Sequence, residues 1–267
     1  MATDTILIFG CGNMAGAMLD GWLRAGFDPA RFTVVNRTPR DVPAGVRSLT
    51  AVPEGETFEL VLLGVKPQML AGVSPQVEPL AGPGTTVMSI LAGVELAVLE
   101  GHFPRAGGIA RVMPNLAVAL GKSPIAVAAS KLDASGRAAV IDLLAPLGTP
   151  EWVDEAAFDL VTALAGSGPA FVYRFIDALS AAATELGLPQ EQAQRLALAM
   201  VEGAAALAAA SEHDPAELAR RVASPGGVTQ AGLDVLDSGG LRALVGNTLR
   251  AARDRSAEMA AEARRKG

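Results

Sequence analysis

Six residues near the amino terminus, Gly10-Cys11-Gly12-Asn13-Met14-Ala15, have the spacing of a phosphate cradle, G-x-G-x-x-[G/A]. The context sharpens the motif. An apolar, β-branched run, Thr5–Phe9, precedes it, and Met14–Ala25 follows with helical spacing through Met18, Leu19, Trp22 and Leu23. Gly10 permits the tight turn. Gly12 lacks a Cβ and lets backbone approach a pyrophosphate, and Ala15 keeps helix and strand close. The helix start adds free N–H groups and a partial positive charge, which suits a dinucleotide.

Three further segments should lie at the ends of later strands. Asn36-Arg37-Thr38 closes the second strand without the acid that commonly holds a free ribose 2′-hydroxyl. Arg37 can grip a 2′-phosphate with the Thr38 hydroxyl and the Asn36 amide, so NADPH is expected and NADH is the weaker alternative. Gly64-Val65-Lys66-Pro67 and Ala92-Gly93 end two more strands. Ligands of open parallel sheets sit beyond such ends, so these residues are expected along the nicotinamide side.

The second half contributes Ala223-Ser224-Pro225-Gly226-Gly227-Val228-Thr229 between helical stretches. Its glycines free backbone N–H groups to point at an anion, Ser224 and Thr229 add hydroxyls, and Thr229 opens the next helix, where the dipole favours a carboxylate. Ser-Pro-Gly-Gly is also ordinary turn material, so on chemistry alone a plain helix connection stays open.

The elements that must position these residues change character midway. Strand candidates at Thr5–Phe9, Phe32–Asn36, Leu60–Val65, Thr85–Leu91, Ile109–Met113 and Pro124–Ala129 alternate with helices. That pattern predicts an α/β fold: a Rossmann-type, mostly parallel sheet with helices on both faces. Strand signals stop after Trp152. Helices are expected over Phe158–Gly187, broken near Gly166–Pro169, then over Gln190–Ala210, Asp214–Val222 and Leu241–Arg265. The expected domains are residues 1–155, binding the dinucleotide, and 156–267, an all-α unit for substrate and dimerisation. Small side chains on every face of Ala204–Ala210 leave helices without bulk to fill a core, which points to a second copy of the chain.

Composition narrows the classes. The chain has 267 residues, half of them hydrophobic, with a net charge of -6. That balance argues against nucleic acid as a partner. One cysteine and two histidines make a metal cluster improbable, and no metal is expected. The apolar runs fall short of the ~18–20 residues of a membrane span, no leader pattern opens the chain, and no disulfide is possible, so a cytoplasmic protein without a membrane partner is expected.

Taken together, the motifs resemble the pyrroline-5-carboxylate reductase family. Ser224–Thr229, continuing Gln-Ala-Gly-Leu, looks like that family's signature. Gly10–Ala15, Val65-Lys66-Pro67-Gln68, Arg111-Val112-Met113-Pro114-Asn115 and Ala165–Ala170 match its other segments in order. The resemblance implies a Rossmann domain and a dimerising helical domain, with dimers often assembling further. It implies NADPH-dependent reduction of Δ1-pyrroline-5-carboxylate to L-proline. By that resemblance Ser224, Gly226, Gly227 and Val228 form the carboxylate-binding loop, Thr229 lies near the substrate, and Glu212 is an acid facing it. Leu116-Ala117 stands where the family has Thr-Pro, Ala165 where it often has Ser, and Arg220 where it has an acid. These departures keep two alternatives in view: a paralogue reducing a related cyclic imine, and a non-catalytic nucleotide-binding homologue. A β-hydroxyacid-type dehydrogenase would need a lysine on its long helix, and Val161–Gly187 has none.

Overall fold

A computed structural model describes residues 4–266, with side chains described through Glu262. Contacts divide the chain into two units. The first runs through Ser167 and takes in the chain from Ala251 onward, and the second is Gly168–Arg250. The division falls later than the boundary expected near residue 155. The reason is Phe158, fully buried against Met113, Ala126 and Ala128 of the sheet, which holds the first helical turns to the first unit.

The first unit contains β1 (Ile6–Phe9), α1 (Asn13–Arg24), β2 (Phe32–Val35), β3 (Arg47–Leu49), β4 (Leu60–Leu63), α2 (Leu70–Val77), β5 (Thr86–Ser89), α3 (Leu96–His102), β6 (Gly108–Met113), β7 (Ser123–Ser130), α4 (Ala134–Leu144), β8 (Gly148–Trp152) and the short α5 (Phe158–Val161). The strands form one sheet in the order β3-β2-β1-β4-β5-β6-β7-β8. Every pair is parallel except β6 with β7. The period of two sorts the side chains. Ile6 and Ile8 pack with Met18, Trp22 and Leu143 on one face, while Leu7 and Phe9 pack with Leu70, Val77 and Leu99 on the other. Both faces are thus covered by helices, which is why the central strands read as unbroken apolar runs.

Two strands have no such signal in the sequence. β3 is exposed along most of its length and β8 alternates between half-buried and exposed, as edge strands do. Trp22 anchors α1: its ring stacks on Phe32 at 5.6 Å, and its Nε1 donates to the Leu143 carbonyl at 2.7 Å.

The second unit holds α6 (Gly168–Glu185), α7 (Gln190–Ala210), α8 (Pro215–Val222), α9 (Val228–Ser238) and the start of α10 (Leu241–Lys266). The expected break near Gly166 is a single π-helical turn, Thr162–Gly166, ahead of Pro169. Asp214 caps α8 as its sequence predicts, accepting from the Glu217 N–H at 2.8 Å with Pro215 in the first turn.

Candidate functional site: a glycine cradle beyond the strand ends

The turn after β1 is built where only backbone fits. Gly10 has φ +88°, and a Cβ there would come within 2.6 Å of Val65 Cγ1. A Cβ on Gly64 would run into the Gly10 carbonyl oxygen and reach Ala15 Cβ at 2.9 Å. The α1 N-cap is Gly12. No side chain caps the helix, and no acid lies in its first turn. Its leading N–H groups therefore have no side-chain acceptor, which is the arrangement an anion completes.

Cys11 is tied on both sides to the loop after β2. Its N–H donates to Asn36 Oδ1 at 2.8 Å, and its carbonyl accepts from Arg40 Nη1 at 2.6 Å. The Asn36 oxygen holds the turn, and its Nδ2, the donor through which the amide is expected to help grip a 2′-phosphate, has no hydrogen-bond partner. Burial pushes the Cys11 thiol above its ordinary 9.0, against the pull of the Arg40 charge and with a smaller push from Asp20. The thiol is therefore neutral and packed at neutral pH.

A cavity of about 620 Å³ gathers Gly10, Gly12, Asn36, Arg37, Thr38, Gly64, Val65 and Lys66, with Arg40 and Gln76 added. Arg37, Thr38 and Lys66 are exposed along it. Met14 and Ala15 do not line it. Ala15 is 1% exposed and packs in the core, and Met14 packs beside it. Asn13 faces a neighbouring hollow of about 420 Å³ with Asp20 and Arg40. Pro67 and Ala92 line a separate cavity of about 360 Å³ with His102 and Met259. Gly93 departs from expectation. The space its missing side chain leaves is taken by α10, since a Cβ there would meet Ala260 N at 3.2 Å, and its φ is +74°.

A charged cluster around β6 is one that periodicity does not reveal. Arg111 on β6 has a side chain only 2% exposed. Its Nη1 donates to Glu155 Oε1 at 3.0 Å, Asp159 lies 3.9 Å from Nη2, and the guanidinium sits 3.9 Å over the Phe158 ring. Its sequence signals were a lone arginine in the apolar run Gly108–Met113 and its place in the family-like segment Arg111–Asn115, neither of which names its partners. Arg40 was also missed, although it stands three positions after Arg37 in one loop. Asn115 closes β6: its N–H donates to Ser123 Oγ at 2.9 Å, its Oδ1 accepts from Ala117 N at 2.9 Å, and its Nδ2 reaches the Ala165 carbonyl at 3.0 Å. The Ala165 group used is backbone, so the residue type matters little there. At position 117 a proline would remove the donated N–H. Leu116 is exposed beside it.

In the second unit, Gly226 has φ +70°, and the Gly227 N–H donates to the Ser224 carbonyl at 2.9 Å. A Cβ on Gly227 would collide with Ser224 Oγ. Gly227 is the N-cap of α9 and no side chain caps that helix, while Val228 and Thr229 are exposed in its first turn. Glu212 is exposed in the connection between α7 and α8. Arg220 is exposed on α8 and pairs with Glu217 one turn earlier.

Two family models match different parts of the chain. Residues 155–259 match the family described as pyrroline-5-carboxylate reductase dimerisation, and residues 5–93 match NADP oxidoreductase coenzyme F420-dependent. The pyrroline-5-carboxylate reductase of Pseudomonas aeruginosa is 37% identical over 97% of this chain and 98% of its own length. The structure of a pyrroline-5-carboxylate reductase from Coxiella burnetii superposes with TM-score 0.90 at 31% identity, covering 96% of this chain and 98% of that one. The fold is shared with the Plasmodium falciparum pyrroline carboxylate reductase, solved with NADP bound, at TM-score 0.85 and 23% identity over 97% of this chain and 99% of that one. The chain belongs to the pyrroline-5-carboxylate reductase family.

Proposed function

We propose that this protein reduces Δ1-pyrroline-5-carboxylate to L-proline with NADPH. The observation that carries the reading is similarity to a pyrroline-5-carboxylate reductase along 97% of the chain. The glycine cradle supports it, because Cβ-free positions at Gly10 and Gly64 and an uncapped α1 are what a pyrophosphate requires. Bound there, NADPH supplies a hydride for the imine carbon.

The remaining work falls to the chain. Gly10, Gly12 and the leading N–H groups of α1, at Asn13, Met14 and Ala15, hold the diphosphate. Arg37 and Thr38 hold the 2′-phosphate, and the absence of an acid between 36 and 38 favours NADPH over NADH. Gly64, Val65, Lys66, Pro67 and Ala92 border the nicotinamide half. In the helical unit, the N–H groups from Gly226 to Thr229 and the Ser224 hydroxyl hold the substrate carboxylate. Thr229 orients the ring nitrogen, with Glu212 supplying negative charge toward its protonated form. A threonine hydroxyl is a poor acid, so orientation rather than proton donation is its role. Most of the rate then comes from placing two bound molecules together.

The active form is a homodimer or a multimer of dimers built through the helical unit, and the compartment is the cytoplasm. A spectrophotometric assay of NADPH oxidation with pyrroline-5-carboxylate tests the reaction. Turnover with NADPH well above that with NADH is the expected result. Absence of turnover, with the nucleotide bound, would defeat the reading and leave the non-catalytic homologue.

A further inference from the structure

The connection from Ala92 to Leu96 is pinned at two points, and both pins lead back to Arg111. At one end, the Leu96 N–H that opens α3 donates to Glu155 Oε1 at 3.0 Å. The residue at the cap position, Glu95, makes no capping bond to this helix. Other helices here are capped locally, by Asp133 for α4 and Asp214 for α8. α3 instead takes its acceptor from a residue distant in sequence. The same Glu155 oxygen takes the Arg111 Nη1 bond at 3.0 Å. At the other end, Gly93 backs onto α10 at Met259 and Ala260. That part of α10 is held by Ser256, whose hydroxyl donates at 2.8 Å to Asp159 Oδ1. Asp159 is in turn the second carboxylate beside Arg111, at 3.9 Å.

We propose that Glu155 is a positioning residue for the nicotinamide half of the cofactor: it fixes the Ala92–Leu96 connection by capping α3, while Arg111, with Asp159 and Ser256, holds the α10 segment behind Gly93. This rests on the reading above that residues beyond β4 and β5 border the nicotinamide. Arg111 orients both carboxylates from inside the sheet and meets neither ligand. A carboxylate suits position 155 because one oxygen accepts from a backbone N–H and from a guanidinium at once, and its charge strengthens both bonds. An amide oxygen can do the same more weakly, so Glu155→Gln is the conservative variant and Glu155→Ala removes both bonds.

The test is calorimetric titration of the wild-type protein, Glu155→Ala, Glu155→Gln and Ser256→Ala with two probes. NADPH carries both halves of the cofactor. Adenosine 2′,5′-bisphosphate carries only the adenosine end, which the proposed function assigns to the cavity of about 620 Å³ with Arg37 and Thr38. Glu155→Ala removes a hydrogen bond that fixes the connection and a bond to a guanidinium, so we expect it to weaken NADPH by ~10-fold or more and the bisphosphate by less than about twofold. Glu155→Gln should recover most of the NADPH affinity, and Ser256→Ala should show a smaller loss of the same selective kind. Unchanged NADPH affinity in Glu155→Ala would overturn the proposal. So would parallel loss of both probes in Glu155→Gln and Ser256→Ala, since that marks general loosening of the unit. The titration contains no imine. A wild-type protein that binds NADPH but fails to reduce pyrroline-5-carboxylate defeats the proposed reaction and leaves this assignment standing.

Discussion

Strand β1 buries all four of its residues, whereas α7, with 21 residues, buries only Ala193 and Ala197. The contrast extends across the two units. The first closes a core on both faces of its sheet. The second leaves Val172, Tyr173 and Phe175 on α6, and Leu196, Leu198, Met200 and Leu207 on α7, exposed in a single chain. Each such side chain, roughly half exposed, forgoes about 1 kcal/mol of burial while it faces water. Such a face suits an oligomer, and the match of residues 155–259 to a dimerisation family supports oligomerisation. The same surface explains a second reading of the helices. Glu155–Glu185 and Gln190–Ala210 are long and apolar enough to cross a membrane by length and composition, although the apolar runs were expected to fall short. Both stretches tolerate charges that a count of uninterrupted apolar residues rejects, and both lie inside the dimerisation match.

The largest effect should come from charging that open face. Leu196→Asp combined with Leu207→Asp places two carboxylates where a partner is expected to cover them. Desolvating an unpaired carboxylate costs several kcal/mol. Association should weaken by at least about 4 kcal/mol, roughly 1,000-fold. Analytical ultracentrifugation should then show monomers that still bind NADPH. Intact dimers would place the interface elsewhere and undo the contrast between the two units.

The converse change strikes the closed unit. Gly64→Val puts a branched side chain against the Gly10 carbonyl and Ala15 Cβ, neither of which can withdraw without moving the turn. NADPH affinity should fall by at least about 100-fold, ~2.7 kcal/mol, while the dimer persists. Affinity within a few-fold of wild type would mean the cradle is not the nucleotide site. A smaller effect separates substrate chemistry from cofactor binding. Thr229→Ala should lower kcat by more than ~10-fold, about 1.4 kcal/mol of transition-state stabilisation, with NADPH affinity nearly unchanged. Unaltered kcat would remove Thr229 from the reaction.

Much of this was legible in the sequence, for a physical reason. A strand buried on both faces is mostly apolar, so β1, β2, β4, β5, β6 (Arg111 apart) and the middle of β7 announce themselves. Edge strands β3 and β8 escape because half their side chains face water. The glycine turn was legible because steric exclusion at Gly10 and Gly64 leaves one residue type that fits. Side-chain tethers between distant segments were not. Nothing in the spacing of Cys11, Asn36 and Arg40 says that both polar atoms of the Cys11 peptide end on the loop after β2. Nothing in that of Leu96, Arg111 and Glu155 says that one carboxylate oxygen serves a helix start and a buried cation. Such bonds depend on how the sheet brings strand ends together, which only three-dimensional placement supplies.

The smallest expected effect compares one device across the two units. Asp133 caps α4 and Asp214 caps α8, each accepting a backbone N–H at 2.8 Å. Asp133 also accepts from Ser135 Oγ at 2.8 Å. The Gly136 N–H first, and then the Ser135 hydroxyl, hold its carboxyl below the ordinary aspartate value of 3.8. A carboxyl depressed in the folded state stabilises that state above its unfolded pKa, and the contribution disappears as pH falls through the folded value. Asp133→Ala should therefore lower the melting temperature slightly at neutral pH, and the gap from wild type should close in acid, below the ordinary carboxylate range. α4 belongs to the closed unit, so its loss should be read in the first unit alone and be independent of protein concentration. Asp214→Ala acts in the unit that needs a partner, so its melting shift should grow as the protein is diluted and the dimer dissociates. Scanning calorimetry of both variants at two concentrations decides the matter. Concentration dependence at both sites, or at neither, would show that the two units do not differ in self-sufficiency.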